Sequence, residues 1–384
     1  MTSRLTRRPG GAARLRALLE SGQTIVAPGA FDPLSARLVE EAGFPAVYMT
    51  GFGTSAALIG RPDVGLLTMT EMVGNAGRIA ACVDIPVIAD ADTGYGNPMN
   101  VIHTVHAYER AGVSAIHIED QVSPKRCGHM DGKRVVPAGE MVEKIRAAVE
   151  ARRSPDFLLI ARTDARAVEG LEGALRRARA YREAGADVLF VEAPQSDDEV
   201  AAVARAFPDV PLLFNWLEGG GKSPPVPLAR LRELGYRLII FPLGALLTAA
   251  QAVRALLATI RAEGTPASAF SRMLSFQEFN KLVGLEEIRR VLKPRGLLAI
   301  LEFSEVRGML LGPLFRFYFR NLLPRIGTWI SGIPGPYQYL HDSVARFPNQ
   351  QALVDLLEAQ GFRNVRYLNF TGGIAALHLA EKAA

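Results

Sequence analysis

The sequence predicts a (β/α)8 barrel of the TIM type over residues 12–284, followed by a partial α/β segment over residues 285–384. Three observations predict the barrel. First, "EEAGFPAVYM" (40–49), "ERAGVSAIHI" (109–118), "REAGADVLFV" (182–191) and "RELGYRLIIF" (232–241) share one grammar. A helical run closes on a Gly, which suits the left-handed position after a helix, and an apolar, β-rich run follows within two or three residues. Second, such apolar runs recur eight times. Third, the polar residues of those runs collect at their C-terminal ends.

In order, the strands fall near 24–27, 46–50, 86–90, 114–119, 157–162, 187–192, 210–215 and 238–241, and a helical pattern follows each. They read as continuous apolar runs, as strands buried on both faces do. Eight such units over about 240 residues fit a closed barrel; a doubly wound open sheet is the alternative. Residues 1–11, "MTSRLTRRPGG", are basic but lack an apolar stretch behind them. They read as a disordered tail rather than a secretory signal.

Composition narrows the class. A hydrophobic share of 49% over 384 residues supplies a sizeable core. Two cysteines, Cys82 and Cys127, make no disulfide framework, so a cytoplasmic setting is expected. The net charge of +5 is scattered among acidic residues, without a basic stripe interleaved with aromatics. Nucleic acid is therefore not an expected partner.

Thr50, Asp90, Glu119, Arg162, Glu192 and Asn215 each lie at or next to the end of a predicted strand, and Asp92, Asp120 and Asp164 follow. In a barrel these ends converge on one rim, where the active sites of such folds lie. Asp90, Asp92 and Glu119 offer hard oxygen donors without His or Cys, a set that favours Mg²⁺ or Mn²⁺ over Zn²⁺. Without a cation, three facing carboxylates repel one another. "PKRCGHMDGKRV" (124–135) surrounds Cys127 with Lys125, Arg126 and His129. Those charges predict a lowered thiol pKa, and Gly128 and Gly132 predict a mobile loop closing over the rim.

"YMTG", "GRPDVGLLT", "IADADTGYGN", "IHIEDQ", "KRCGH", "ARTDA" and "VEAP" occur in this order. Together they resemble the isocitrate lyase/phosphoenolpyruvate mutase superfamily over residues 12–287. The resemblance implies a Mg²⁺-dependent barrel, usually a homotetramer that exchanges a helix between neighbours. "KRCGH" resembles the carbon–carbon lyase branch, whose substrates are 2-hydroxy acids. By resemblance, Asp90 and Asp92 hold the metal, with Glu119 joining through water. Thr50, Gly51, Phe52 and Arg162 bind the carboxylate of the 2-oxo acid. Tyr48 is the candidate base, and Cys127 protonates the departing carbanion. Lys125 and His129 join the catalytic set, while Asp63, His117, Gly128, Glu192 and Asn215 complete the pocket. Oxaloacetate decarboxylation and phosphonopyruvate chemistry are the alternatives within the superfamily.

Two departures bear on substrate. Phe190 stands where glyoxylate-forming relatives tend to carry Trp, which leaves room for a methyl group and favours pyruvate as product. Leu247, in "PLGALLTAA", stands where methylisocitrate lyases typically place an Arg for a distal carboxylate. Leu cannot pair a buried charge, although Lys222 could partly compensate. The expected substrate is a methylated malate of the 2,3-dimethylmalate type rather than methylisocitrate.

Behind the barrel, "IRRVLKPRGLLAILEFS" (288–304) reads as helix, turn and strand. With "YFRNLLPRIGTWISG" and "LLEAQGFRNVRYLNFTGGIAALHLA" it resembles the C-terminal part of ubiquinone/menaquinone biosynthesis methyltransferases over residues 285–384. Such enzymes bind S-adenosylmethionine at a Gly-rich first strand. The barrel occupies the length where that strand would stand, so methyl transfer is not expected. Residues 309–333 are apolar but interrupted by Arg316, Arg320 and Arg325, which argues against a membrane-spanning helix. Contact with a membrane surface by this tail is the lesser expectation. Half a sheet also leaves open edges. The reading from another class is a non-catalytic barrel whose tail binds a membrane or partner.

Overall fold

The structure, a computed structural model, describes residues 10–285, 295–303, 318, 322–323 and 348–382. The tail at 1–9, the helix expected from 288 and nearly all of 309–333 lie outside the described residues. The chain divides into two compact units, Met1–Val283 and Gly284–Ala384.

The first unit opens with α1 (Gly11–Glu20), followed by β1 (Ile25–Ala30), α2 (Pro33–Glu41), β2 (Val47–Met49), α3 (Gly51–Ile59), α4 (Met69–Cys82), β3 (Val87–Asp90), α5 (Pro98–Ala111) and β4 (Ala115–Glu119). A long loop then leads to α6 (Ala138–Ala151), β5 (Leu158–Thr163), α7 (Arg166–Glu183), β6 (Val188–Val191), α8 (Asp197–Ala206), β7 (Leu212–Asn215), α9 (Leu228–Glu233), β8 (Leu238–Phe241) and α10 (Gly244–Glu263). The short α11 (Phe276–Leu282) ends the unit. Strands β1 to β8 pair in sequence order, and β8 pairs in parallel with β1, so the barrel is closed. Each strand overlaps its expected span.

Two apolar layers hold this unit together. Inside the barrel, Ile25, Ile88, Leu158, Ile160, Phe190 and Ile240 pack with Leu15 and Leu19 of α1, which closes the end opposite the C-terminal ends of the strands. Outside, alternate strand residues such as Val47, Ile116, Leu159 and Leu189 pack against Met72, Val105, Ile145 and Leu175 of the surrounding helices. This alternation explains the uninterrupted apolar runs in the sequence. α10 departs from the pattern: none of its residues is buried, and Leu247, Val253, Leu257 and Ile260 are exposed. It is long and apolar enough to cross a membrane by length and composition alone.

In the second unit, β9 (Leu297–Phe303), β10 (Phe362–Phe370) and β11 (Ala375–Lys382) form an antiparallel sheet in the order β10-β11-β9. Leu353 and Leu357 of α12 (Gln350–Ala359) pack on it with Leu298, Ile300 and Ala380.

Candidate active site

The strand ends carry the polar residues inward. Thr50, Asp90, Glu119, Arg162, Glu192 and Asn215 are all buried, as are Asp92, Asp120 and Asp164. Asp90 closes β3, and its Oδ1 accepts the backbone N–H of Asp92 at 2.9 Å. Asp92 takes left-handed backbone, with φ 47°, a conformation uncommon for a non-glycine residue and concentrated at functional sites. From α5, the Tyr108 hydroxyl donates to the Asp90 carbonyl at 2.9 Å. Thr50 caps α3, accepting the Gly53 N–H. A Cβ on Gly51 would overlap Asp90 Oδ2, so the start of α3, with Phe52 next in line, can approach the β3 carboxylate only because residue 51 is Gly. A helix N-terminus in this position suits a substrate carboxylate.

Arg162, from β5, is the electrostatic centre. Its Nε lies 2.9 Å from Asp164 Oδ2 and 3.2 Å from Glu119 Oε2, and its Nη2 lies 3.4 Å from Glu192 Oε2. The guanidinium stands 5.1 Å above the Phe190 ring. Glu192 meets His129 Nε2 at 2.8 Å and Asn215 Nδ2 at 3.3 Å. Burial alone would raise Glu192, but Arg162 and His129 hold it well below the usual carboxylate range. Tyr48 and His117 pair through the phenol oxygen and Nε2 at 2.8 Å. Burial keeps His117 neutral by lowering it to about 4, and burial with Asp90 raises the Tyr48 phenol well above its ordinary value.

The loop between β4 and α6 is docked over this rim. Its neck is the antiparallel bridge Gln121–Val135. Gln121 clamps the Arg126 backbone, accepting its N–H at 3.0 Å and donating to its carbonyl at 2.8 Å. The Cys127 N–H donates to the Asp63 carbonyl at 3.2 Å. A Cβ on Gly128 would overlap the Arg162 guanidinium and lie 2.6 Å from Glu192 Cγ, so the backbone beside the thiol rests directly on that pair.

The loop corrects two expectations. Cys127 is not an acidic thiol: burial pushes it above its ordinary value, opposed by a hydrogen bond to backbone near His129. The cations expected around it face elsewhere. Lys125 Nζ sits 2.7 Å from both Asp63 Oδ2 and Asp92 Oδ1, and Arg126 Nη1 donates to the Asp131 carbonyl. Lys222 does not reach toward a distal carboxylate either; its ammonium pairs with Asp131 at 2.5 Å, while its backbone N–H donates to His129 Nδ1 at 2.8 Å. Leu247 is exposed and lies over Gly219.

Tyr48, His117, Asp90, Asp92, Lys125 and Asp63 are thus joined by close contacts, and so are Glu119, Arg162, Glu192, His129 and Asn215. Sequence reasoning did not single out Lys133 or Tyr108. Lys133 is a buried lysine paired with Asp164 at 2.8 Å. Its only sequence signal was a Gly-Lys step inside an already charged loop.

The acidic residues fit a divalent cation. Both oxygens of Glu119 are buried without an aligned hydrogen bond, Oε2 facing Arg162 as an ion pair, and Asp92 Oδ1 faces Lys125 in the same way. Burial raises Asp92 to about 6, against the pull of Lys125, and raises Glu119 well above its usual range. Buried, under-satisfied hard oxygens are what a cation would relieve. Among the described residues no three acidic, His or Cys side chains form a ready-made cage.

The chain is similar to several known proteins. Residues 15–261 match the phosphoenolpyruvate phosphomutase family model. The 2,3-dimethylmalate lyase of Eubacterium barkeri is 48% identical over 280 residues, 73% of this chain and 96% of that protein. A crystal structure of 2,3-dimethylmalate lyase superposes with a TM-score of 0.71 at 43% identity, covering 74% of this chain and 95% of that one. The 2-methylisocitrate lyase of Aeropyrum pernix is 43% identical over 72% of this chain and 88% of its own length. Phosphonopyruvate hydrolase, solved in complex with oxalate and Mg²⁺, superposes with a TM-score of 0.67 at 36% identity, over 73% of this chain and 97% of that one. The chain belongs to the phosphoenolpyruvate mutase/isocitrate lyase superfamily. Within it, the chain is a carbon–carbon lyase. Residues 276–382 match the ubiE/COQ5 methyltransferase family model.

Proposed function

We infer that this lyase cleaves a 2-hydroxy dicarboxylate of the 2,3-dimethylmalate type into pyruvate and propionate. The observation that carries this reading is the docked loop. Its Gly128, next to Cys127, rests on Arg162 and Glu192, while Lys125 on the other side touches Asp92. On this reading the proton donor, the carboxylate-binding cation and the acidic cluster would meet the same substrate.

Asp90 and Asp92 would hold Mg²⁺, with Glu119 behind them, and the ion would supply Lewis acidity toward the substrate hydroxyl and carboxylate. Arg162 and the start of α3 orient that carboxylate. The hydroxyl proton leaves toward Tyr48; because the phenol is protonated at rest, it accepts only by passing its own proton to the neutral His117 beside it. The C2–C3 bond breaks, and its electron pair stays on C3 beside the second carboxylate. Cys127 gives that carbon a proton. A raised thiol pKa keeps the proton in place until the carbanion forms, so the corrected environment suits an acid better than a thiolate would. Leu247 and the paired Lys222 offer nothing to a third carboxylate, which supports a dicarboxylate over methylisocitrate.

The barrel works as a homo-oligomer in the cytoplasm, on this reading. Support comes from the uncovered apolar side of α10, which a second copy would bury. The function is tested with a panel of 2,3-dimethylmalate, methylisocitrate and oxaloacetate plus Mg²⁺, coupled to lactate dehydrogenase for pyruvate. Turnover should be greatest with 2,3-dimethylmalate. A preference for oxaloacetate would move the chain to a decarboxylase.

A further inference from the structure

Lys133 stands on the return leg of the Cys127 loop, and only 1% of its side chain is exposed. Its ammonium donates to Asp164 Oδ1 at 2.8 Å and also to the Gly128 carbonyl. The same Asp164 oxygen receives Arg162 Nη2 at 3.2 Å, and the other receives Arg162 Nε at 2.9 Å. Asp164 is itself fixed to the barrel, because its backbone N–H donates to Asp120 Oδ1 at 2.9 Å. A charge carried by the loop thus enters a socket in the barrel wall, and the socket is the carboxylate that orients Arg162.

A buried ammonium and its carboxylate are each costly when separated inside a protein. Lifting the loop would have to carry Lys133 out to water, and docking would return it to the socket. Arg162 and Glu192 are buried with the Gly128 backbone resting on them, so a substrate carboxylate could reach this pair only with the loop lifted. Catalysis needs the loop docked. Lys125 ties the outgoing leg to Asp63 and Asp92, Lys133 ties the return leg to Asp164, and Cys127 lies between them.

We propose that Lys133 is a positioning residue that latches the loop, sets the Cys127 thiol over the substrate and couples loop closure to Arg162 through their shared partner Asp164. The proposal builds on the lyase reading above, but its test separates the two. In a Cys82→Ser background, Cys127 is the one remaining thiol. Its alkylation by iodoacetamide is measured in Lys133→Met and Lys133→Arg, beside kcat and KM for pyruvate release. Lys133→Met should be alkylated about tenfold faster and lose about a hundredfold in kcat, with KM within about threefold, since small misplacements of a reacting group carry penalties of that size. Lys133→Arg, which keeps the charge, should recover part of both. A folded Lys133→Met with wild-type alkylation and kcat overturns the latch. So does one that only melts earlier while its thiol stays protected, because Lys133 would then be structural. Should Lys133→Met not fold, Lys133→Gln, which keeps a neutral donor for the Gly128 carbonyl, decides by the same readouts. Alkylation needs no substrate, so a wild type that cleaves no hydroxy acid defeats the lyase reading and leaves the latch decided by the thiol.

Discussion

Lys125 Nζ and Asp92 Oδ1 meet at 2.7 Å, joining the Cys127 loop to the acidic end of β3. Asp92, Asp90 and Asp63 hold the lysine ionised against its burial. Its charge offsets part of the repulsion among the carboxylates and also competes with a divalent ion for them. Lys125→Met should therefore bind Mn²⁺ about tenfold more tightly, as removal of one nearby positive charge requires, while pyruvate release falls. Titration followed by Mn²⁺ electron paramagnetic resonance checks this. Weaker Mn²⁺ binding would show that Lys125 supports the metal site rather than competing with it.

Metal affinity should also depend on pH. Burial raises Asp92 to about 6. Protons and the cation compete for this carboxylate, so affinity should be full well above pH 6 and weaken as pH falls through that value. Calorimetric titration with Mg²⁺ between pH 5 and pH 8 measures it. An affinity that is flat across this range would remove Asp92 from the ligand set.

Cys127 should react slowly with iodoacetamide at neutral pH. Its thiol is pushed above the ordinary value by burial, so the reactive thiolate forms only at higher pH. The alkylation rate should keep rising beyond about pH 8.5, where an exposed cysteine levels off. A plateau near pH 7 would restore the acidic thiol that the loop sequence alone suggested.

That reversal shows where the sequence was legible. The strands, their order and the polar rim were readable because burial on both faces writes apolar runs, and convergence of strand ends is a property of the barrel. The direction in which loop side chains point is set by tertiary partners instead. "KRCGH" places cations beside Cys127 in sequence, yet Lys125 turns to Asp63 and Asp92. Lys133 went unremarked because its acceptor, Asp164, is distant along the chain. The same limit applies to α10, whose apolar residues look like core in the sequence and are exposed in the single chain.

Substrate choice should turn on residue 247. Leu247→Arg adds a donor fork above Gly219, at the position where the resemblance to methylisocitrate lyases implies an Arg for a distal carboxylate. The ratio of kcat/KM for methylisocitrate to that for 2,3-dimethylmalate should rise about tenfold or more, the scale of a gained charged contact. An unchanged ratio would place the distal end of the pocket elsewhere.

The most direct measurement is pyruvate release from 2,3-dimethylmalate with Mg²⁺, compared between the wild type and Cys127→Ser at matched thermal stability. Loss of a positioned general acid typically lowers turnover by about 10²–10⁴-fold. A fall of that order in Cys127→Ser, with pyruvate readily formed by the wild type, is the expected result. Wild-type turnover in Cys127→Ser, or no pyruvate from either protein, would contradict the proposed chemistry at this rim.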